Sequence, residues 1–72
     1  MTQEERVAEY MKQNGSITSM DAFRDLSITR LSARIHSLRR NGMRIRTTNE
    51  TKKVGDGYAT YARYSIDTEE RE

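Results

Sequence analysis

Residues 27–42 read SITRLSARIHSLRRNG, and the spacing of their apolar positions decides how the rest of the chain must be arranged. Ile28, Leu31, Ile35 and Leu38 recur at intervals of three and four, the period of a helix with one buried side, with four arginines and a histidine threaded between them. At ~100° per residue, Leu31, Ile35 and Leu38 fall within about 60° and form the inward stripe. Thr29, Ala33, His36, Ser37 and Arg40 lie opposite, with Arg30 and Arg34 on one shoulder and Ser32 and Arg39 on the other. The outer face therefore consists of small side chains flanked by long cations. That composition suits close approach to a polyanion, because Ser32, Ala33 and Ser37 leave clearance and guanidinium groups can reach base edges in bidentate fashion. Thr29 is the expected cap and the helix is expected over 29–41. It is closed by Gly42, with Leu38 and Met43 placed for the apolar contact of a Schellman turn.

Upstream, Thr2 followed by Glu5 has the form of a capping box. Val7, Tyr10 and Met11 then lie on one stripe, and Gly15 ends the segment, so the pattern predicts a helix over residues 3–14. Ser16-Ile17-Thr18 is long enough only for a bridge or minimal strand anchored by Ile17. A second, short helix is expected after Thr18 or Ser19, with Asp21 in its first turn and Ala22, Phe23 and Leu26 on its buried side.

Downstream of Gly42 the period changes to two. Met43, Ile45 and Thr47 alternate with Arg44, Arg46 and Thr48; Val54-Gly55-Asp56-Gly57 carries turn chemistry; and Tyr58 to Ile66 alternates again. The pattern predicts a β-hairpin with a cationic rim. Residues 67–72 contain no apolar side chain and are expected to form a flexible acidic tail beyond a single domain of residues 1–66. The order helix, short strand, helix, tight turn, helix, hairpin is α+β: a winged helix-turn-helix with three helices and a C-terminal wing around one core.

Composition narrows the function. The chain has 72 residues and a net charge of +2, but the charge is segregated. Residues 1–26 hold three cations against five anions, residues 27–66 nine against two, and residues 67–72 one against four. Such a basic block suits a nucleic acid. There is no cysteine and only one histidine, so no metal or other cofactor is expected. Neither a phosphate loop nor a nucleophile–base set is visible, so the chain does not read as an enzyme. No apolar run is long enough for a membrane span and the start is acidic, so a cytoplasmic location without membrane contact is expected.

Ile17-Thr18, Ala22, Leu26-Ser27-Ile28, Arg34-Ile35-His36-Ser37-Leu38-Arg39 and Gly42 together resemble the helix-turn-helix of small winged-helix proteins of bacteriophages and other mobile elements. The run Tyr61 to Tyr64 is similar to the second strand of their wing. Ser27 departs from the glycine usual at that turn. The resemblance implies double-stranded DNA binding in regulation or recombination, in the manner of small repressors or excisionase-like architectural factors.

On this reading Arg30, Ser32, Ala33, Arg34 and Ser37 are expected to contact bases. Thr29, His36, Arg40, Arg44, Arg46, Lys52, Lys53 and Arg63 are expected to contact the backbone. A homodimer or cooperative assembly on DNA is expected, since one module has a small footprint. Two alternatives come from other classes. The acids of the first helix and tail could form a face for a protein partner, as in an inhibitor of a host protein. Tyr58, Tyr61 and Tyr64 could stack on single-stranded bases, although padding of the hairpin against a helix accounts for Tyr64 more simply.

Overall fold

The computed structural model describes residues 1–67. Helix α1 spans Gln3–Asn14, strand β1 Ile17–Thr18, α2 Ser19–Leu26, α3 Leu31–Arg40, β2 Ile45–Val54 and β3 Gly57–Ile66. The fold is the α+β arrangement of three helices and a wing.

Local chemistry sets most of the boundaries. Thr2 Oγ1 accepts from the Glu5 amide at 3.1 Å while Glu5 accepts from the Thr2 amide at 2.9 Å, and Gly15 at φ +89° ends α1. Thr18 and Asp21 repeat that reciprocal cap at the start of α2. Ser27 stops α2 in the left-handed region (φ 58°, ψ 33°), held there by amide bonds from Ser27 to the Phe23 carbonyl and from Ile28 to the Ala22 carbonyl. The turn thus takes the conformation glycine would prefer, on a serine.

Three boundaries differ from the sequence expectation. Helix α3 starts at Leu31 rather than after Thr29; Arg30 is its cap residue, and no side chain caps it. The cause is Ile28, which is buried beside Leu31. With Ser27 left-handed, the chain needs Thr29 and Arg30 to turn before helical bonds to the Arg30 carbonyl can begin. The helix ends at Arg40, with Met43 N–H donating to the Leu38 carbonyl at 3.0 Å and Gly42 at φ +101°. Strand β2 begins at Ile45, leaving Met43 and Arg44 in the connection.

The three strands are antiparallel in the order β1-β3-β2. The pairs Ile17–Tyr64 and Thr18–Arg63 join β1 to β3, while β2 and β3 pair from Ile45–Ile66 out to Val54–Gly57 across a two-residue turn. Gly55 at φ +58°, followed by an Asp56 outside the positive-φ region, is the glycine-first primed turn that matches strand twist.

The core is Val7, Ala8, Met11, Ile17, Ala22, Ile28, Leu31, Ile35, Leu38 and Ile45, flanked by Tyr10, Leu26, Met43, Tyr64 and Ile66. Each fully buried aliphatic side chain contributes about 1.5–3 kcal/mol, and the buried set draws on every element except β3, which adds the partly buried Tyr64 and Ile66. Phe23 was expected inside and is 60 % exposed: α2 is short, its inward position is taken by Ala22, and Phe23 points about 100° away from it. Residues 51–60 are exposed on both strands, so the outer half of the hairpin leaves the core behind and projects as a wing. Asp67, expected in the tail, is fastened to the sheet: its amide donates to the Arg44 carbonyl at 2.8 Å and its carboxylate meets Arg46 at 3.3 Å. The rest of the expected tail, residues 68–72, lies outside the described residues.

Candidate nucleic-acid interface

Burial of Leu31, Ile35 and Leu38 turns the opposite side of α3 to solvent. Ser32, His36 and Arg40 are exposed there, Ala33 and Ser37 are half-buried beside them, and Thr29 and Arg30 are exposed at the helix start. A shallow face of small side chains is thus bordered by Arg30 at one end and Arg40 at the other. Arg44 continues the border into the connection, and Lys52 and Lys53 lie on the exposed part of the wing. Among the described residues, the side chains of Arg30, Arg40, Arg44, Lys52 and Lys53 take part in no ion pair or side-chain hydrogen bond within the fold. Adjacent β2 positions face opposite sides of the hairpin. Lys53 shares a face with Tyr58 opposite it, and Lys52 shares the other with Ala59.

Three arginines expected at the interface are engaged elsewhere. Arg34 was expected at base edges. It sits instead on the shoulder of α3 that meets α1, where Nη1 donates to Glu4 Oε2 at 2.9 Å; the two side chains are 30 % and 25 % exposed. Its Nε is buried without a partner, so the guanidinium is drawn into the α1–α3 seam rather than presented outward. Arg63 was expected at the DNA backbone. Its Nε meets Glu50 Oε1 at 3.0 Å across the hairpin, and Nη1 donates to Ser16 Oγ at 2.9 Å. The Arg63 hydrogen bond, reinforced by Tyr61, holds the Glu50 carboxyl below its ordinary range. Arg46 pairs with Asp67.

A fourth arginine, not among the expected contact residues, is also engaged within the fold. Arg39, on the shoulder facing the sheet, donates from Nη2 to the Ile45 carbonyl and to Thr47 Oγ1, both at 2.8 Å. No local signal marks this contact, since an arginine in the last turn of a helix reads equally well as a partner of the dipole.

The acids are held in a comparable way. Arg24 binds Asp21 at 3.1 Å and Asp25 at 2.9 Å, and Tyr10 Oη donates to Asp25 at 2.6 Å. The Arg24 hydrogen bond, then that of Tyr10, brings the Asp25 carboxyl down to about 2. Glu5 is in its capping box, Glu9 accepts from Gln13, and Glu4 holds Arg34. The first helix therefore does not present a continuous face of free carboxylates. Tyr64 packs against the core and Tyr58 is 75 % exposed, so the tyrosines do not form one platform.

Among the described residues no helix is long and apolar enough to cross a membrane, and no cluster of metal-ligating side chains occurs. Residues 2–69 match the winged helix-turn-helix domain family, and the chain belongs to that family. No curated protein and no solved structure matches it.

Proposed function

We propose that this domain is a sequence-specific double-stranded DNA-binding protein in which α3 enters the major groove and the wing lies on the backbone. The observation that carries the reading is the open outer face of α3, small in profile and bordered by cations that the fold itself does not neutralise. A helix with a closely packed inner stripe and such an outer face can approach a groove until Arg30 reaches a base edge. Ser32, Ala33 and Ser37 supply the close fit. Thr29, His36, Arg40, Arg44, Lys52 and Lys53 are suited to phosphate contact, and Arg34, Arg46 and Arg63 are withdrawn from direct contact by their partners.

The role follows as a regulator or excisionase-like architectural factor of the bacteriophage or mobile-element type, acting in the cytoplasm as a homodimer or a cooperative array. Reading as a protein-interaction module is less well supported, because the acids of α1 and α2 are held within the fold. The test is duplex binding by fluorescence anisotropy across a salt series, followed by selection of bound sequences from a random duplex pool. With Arg40, Arg44, Lys52 and Lys53 on phosphates, log K should fall against log salt with a slope of about −4. Selected sequences should carry a common half-site whose spacing reports the assembly. Absence of duplex binding at low salt would leave the protein-interaction reading standing in its place.

A further inference from the structure

We infer that Arg39 is a positioning residue that sets the angle of the wing against the recognition helix, and so decides whether the wing lysines reach phosphate while α3 is in the groove. The inference rests on the DNA-binding reading and extends it to a residue that itself faces away from the proposed interface.

The sheet order makes β2 the outer strand. Among the described residues no strand lies beyond it, so the Ile45 carbonyl accepts nothing from the sheet on that side. Arg39 supplies the donor. One amino group, with two hydrogens, serves both the Ile45 carbonyl and Thr47 Oγ1 at 2.8 Å, so a single planar group is fixed at two points on the first residues of β2. The other end of the tie is equally fixed. Leu38, the residue before Arg39, is buried, and the Arg39 carbonyl accepts from the Gly42 amide at 3.0 Å. Arg39 thus bridges the last turn of α3 to the root of the hairpin, across a connection whose own geometry depends on a left-handed glycine.

What lies beyond that root explains why one side chain matters. Residues 51–60 are exposed on both strands and none belongs to the core; Lys52, Val54 and Ala59 only line an open groove against the start of α2. The wing is a lever held at its base by Ile45, Tyr64 and Ile66 on the core side, by the β1 pairs and the Ser16 bond on the β3 edge, and by Arg39 on the outer β2 edge, where it is the side-chain tie to α3. Lys52 and Lys53 are seven and eight positions out from Ile45, roughly 25 Å at ~3.3 Å per residue, so a small rotation at the root displaces them by several ångströms. The same contact covers part of an open strand edge against pairing with another chain.

The experiment uses the full chain with Arg39→Ala, Thr47→Val, and Lys52→Ala combined with Lys53→Ala. In the first arm, residual dipolar couplings of the free proteins measure wing orientation relative to α3, with Tm recorded alongside. Arg39→Ala and Thr47→Val should rotate the hairpin amides of residues 51–60 while the couplings within α1 to α3 persist. An unchanged orientation overturns the inference whatever DNA does. In the second arm, duplex affinity is measured across salt. Thr47→Val removes no charge, yet it should lower the salt slope by up to about two, the amount lost with both lysines at ~0.9 each. Combining Arg39→Ala with the lysine pair should add little to the loss from the lysine pair alone. Full additivity in a protein that binds duplex would make Arg39 an ordinary phosphate contact and overturn the positioning role alone. A wild type that binds no duplex would overturn the DNA-binding reading and this role with it.

Discussion

The acidic half of the molecule, α1 and α2, and the basic half, α3 and the wing, differ less in how much charge they carry than in where its partners are. In α1 and α2 the carboxylates of Glu4, Glu5, Glu9, Asp21 and Asp25 all take part in hydrogen bonds within the fold. In α3 and the wing, Arg34, Arg39, Arg46 and Arg63 are held, whereas Arg30, Arg40, Arg44, Lys52 and Lys53 have no such partner among the described residues. A charge count along the chain weighs every cation equally. The structure divides them into a set that ties elements together and a set left to the solvent, and only the second is available to a ligand.

That division is broken most directly by charge reversal in the open set. Arg30→Glu with Arg40→Glu should reduce duplex affinity by about 100-fold or more, since each contact contributes about 1–3 kcal/mol to specific binding or about one unit of salt slope. Thermal stability should stay within about 0.5 kcal/mol of wild type, as for exposed sites without fold contacts. Anisotropy and a melting curve on the same sample check both halves. A loss of stability matching the loss of binding would place these arginines in the fold.

A smaller effect tests the other set. Glu4→Ala removes the carboxylate that draws Arg34 into the α1–α3 seam. The pair is about a quarter to a third exposed, so its loss should lower stability by no more than about 1 kcal/mol in urea unfolding. Freed from Glu4, Arg34 lies one helical turn from Arg30 on the same shoulder, and low-salt duplex affinity should rise a few-fold. An unchanged affinity would show that Arg34 has no path to DNA even when its partner is gone.

How much of this was legible in the sequence follows the same division. Capping boxes at Thr2 and Thr18, the glycine stops at Gly15 and Gly42 and the primed turn at Gly55 are contacts within a few residues, and the residue types announce them. The buried stripe of α3 was equally readable, because periodicity alone fixes which side of a helix is apolar. Arg34 with Glu4 and Arg63 with Ser16 join positions 30 and 47 residues apart, and nothing local to either arginine indicates its partner. Phe23 was misplaced for a related reason. A two-turn helix wedged between larger elements turns only a narrow side inward, and Ala22 with Leu26 one turn on occupies it rather than Phe23. The outward side of α3 was therefore readable, and which cations the fold ties up was not.

The acidic network gives a prediction confined to low pH. Asp25, held by Arg24 and Tyr10, titrates at about 2 in the folded protein against an ordinary 3.8. A depressed carboxyl stabilises the fold fully above its unfolded value, and that contribution is lost as pH falls through the window from about 4 to 2. Urea unfolding at stepped pH should show this decline, and Asp25→Asn should flatten it. Between pH 5 and 8 the substitution should leave duplex affinity unchanged, because Asp25 belongs to the half whose charges are already partnered. A shift in DNA binding in that range would join the two halves electrostatically.

The smallest expected effect lies at the junction between the halves. Ser27 is the one residue other than glycine found at positive φ among the described residues, and it stands where α2 hands over to α3. Left-handed backbone costs an L-residue roughly 1–2 kcal/mol, while glycine gives back roughly 0.5–1 kcal/mol through its freer unfolded chain. Ser27→Gly should therefore raise stability by only a few tenths to about 1 kcal/mol, and Ser27→Val, which is β-branched, should lower it by more than that. Because the amides of Ser27 and Ile28 bond back to α2, the turn angle itself is fixed by the backbone, and duplex affinity should follow neither change. If Ser27→Gly instead weakens binding while stabilising the fold, the hydroxyl at this turn belongs to the open set, and the interface begins two residues earlier than Thr29.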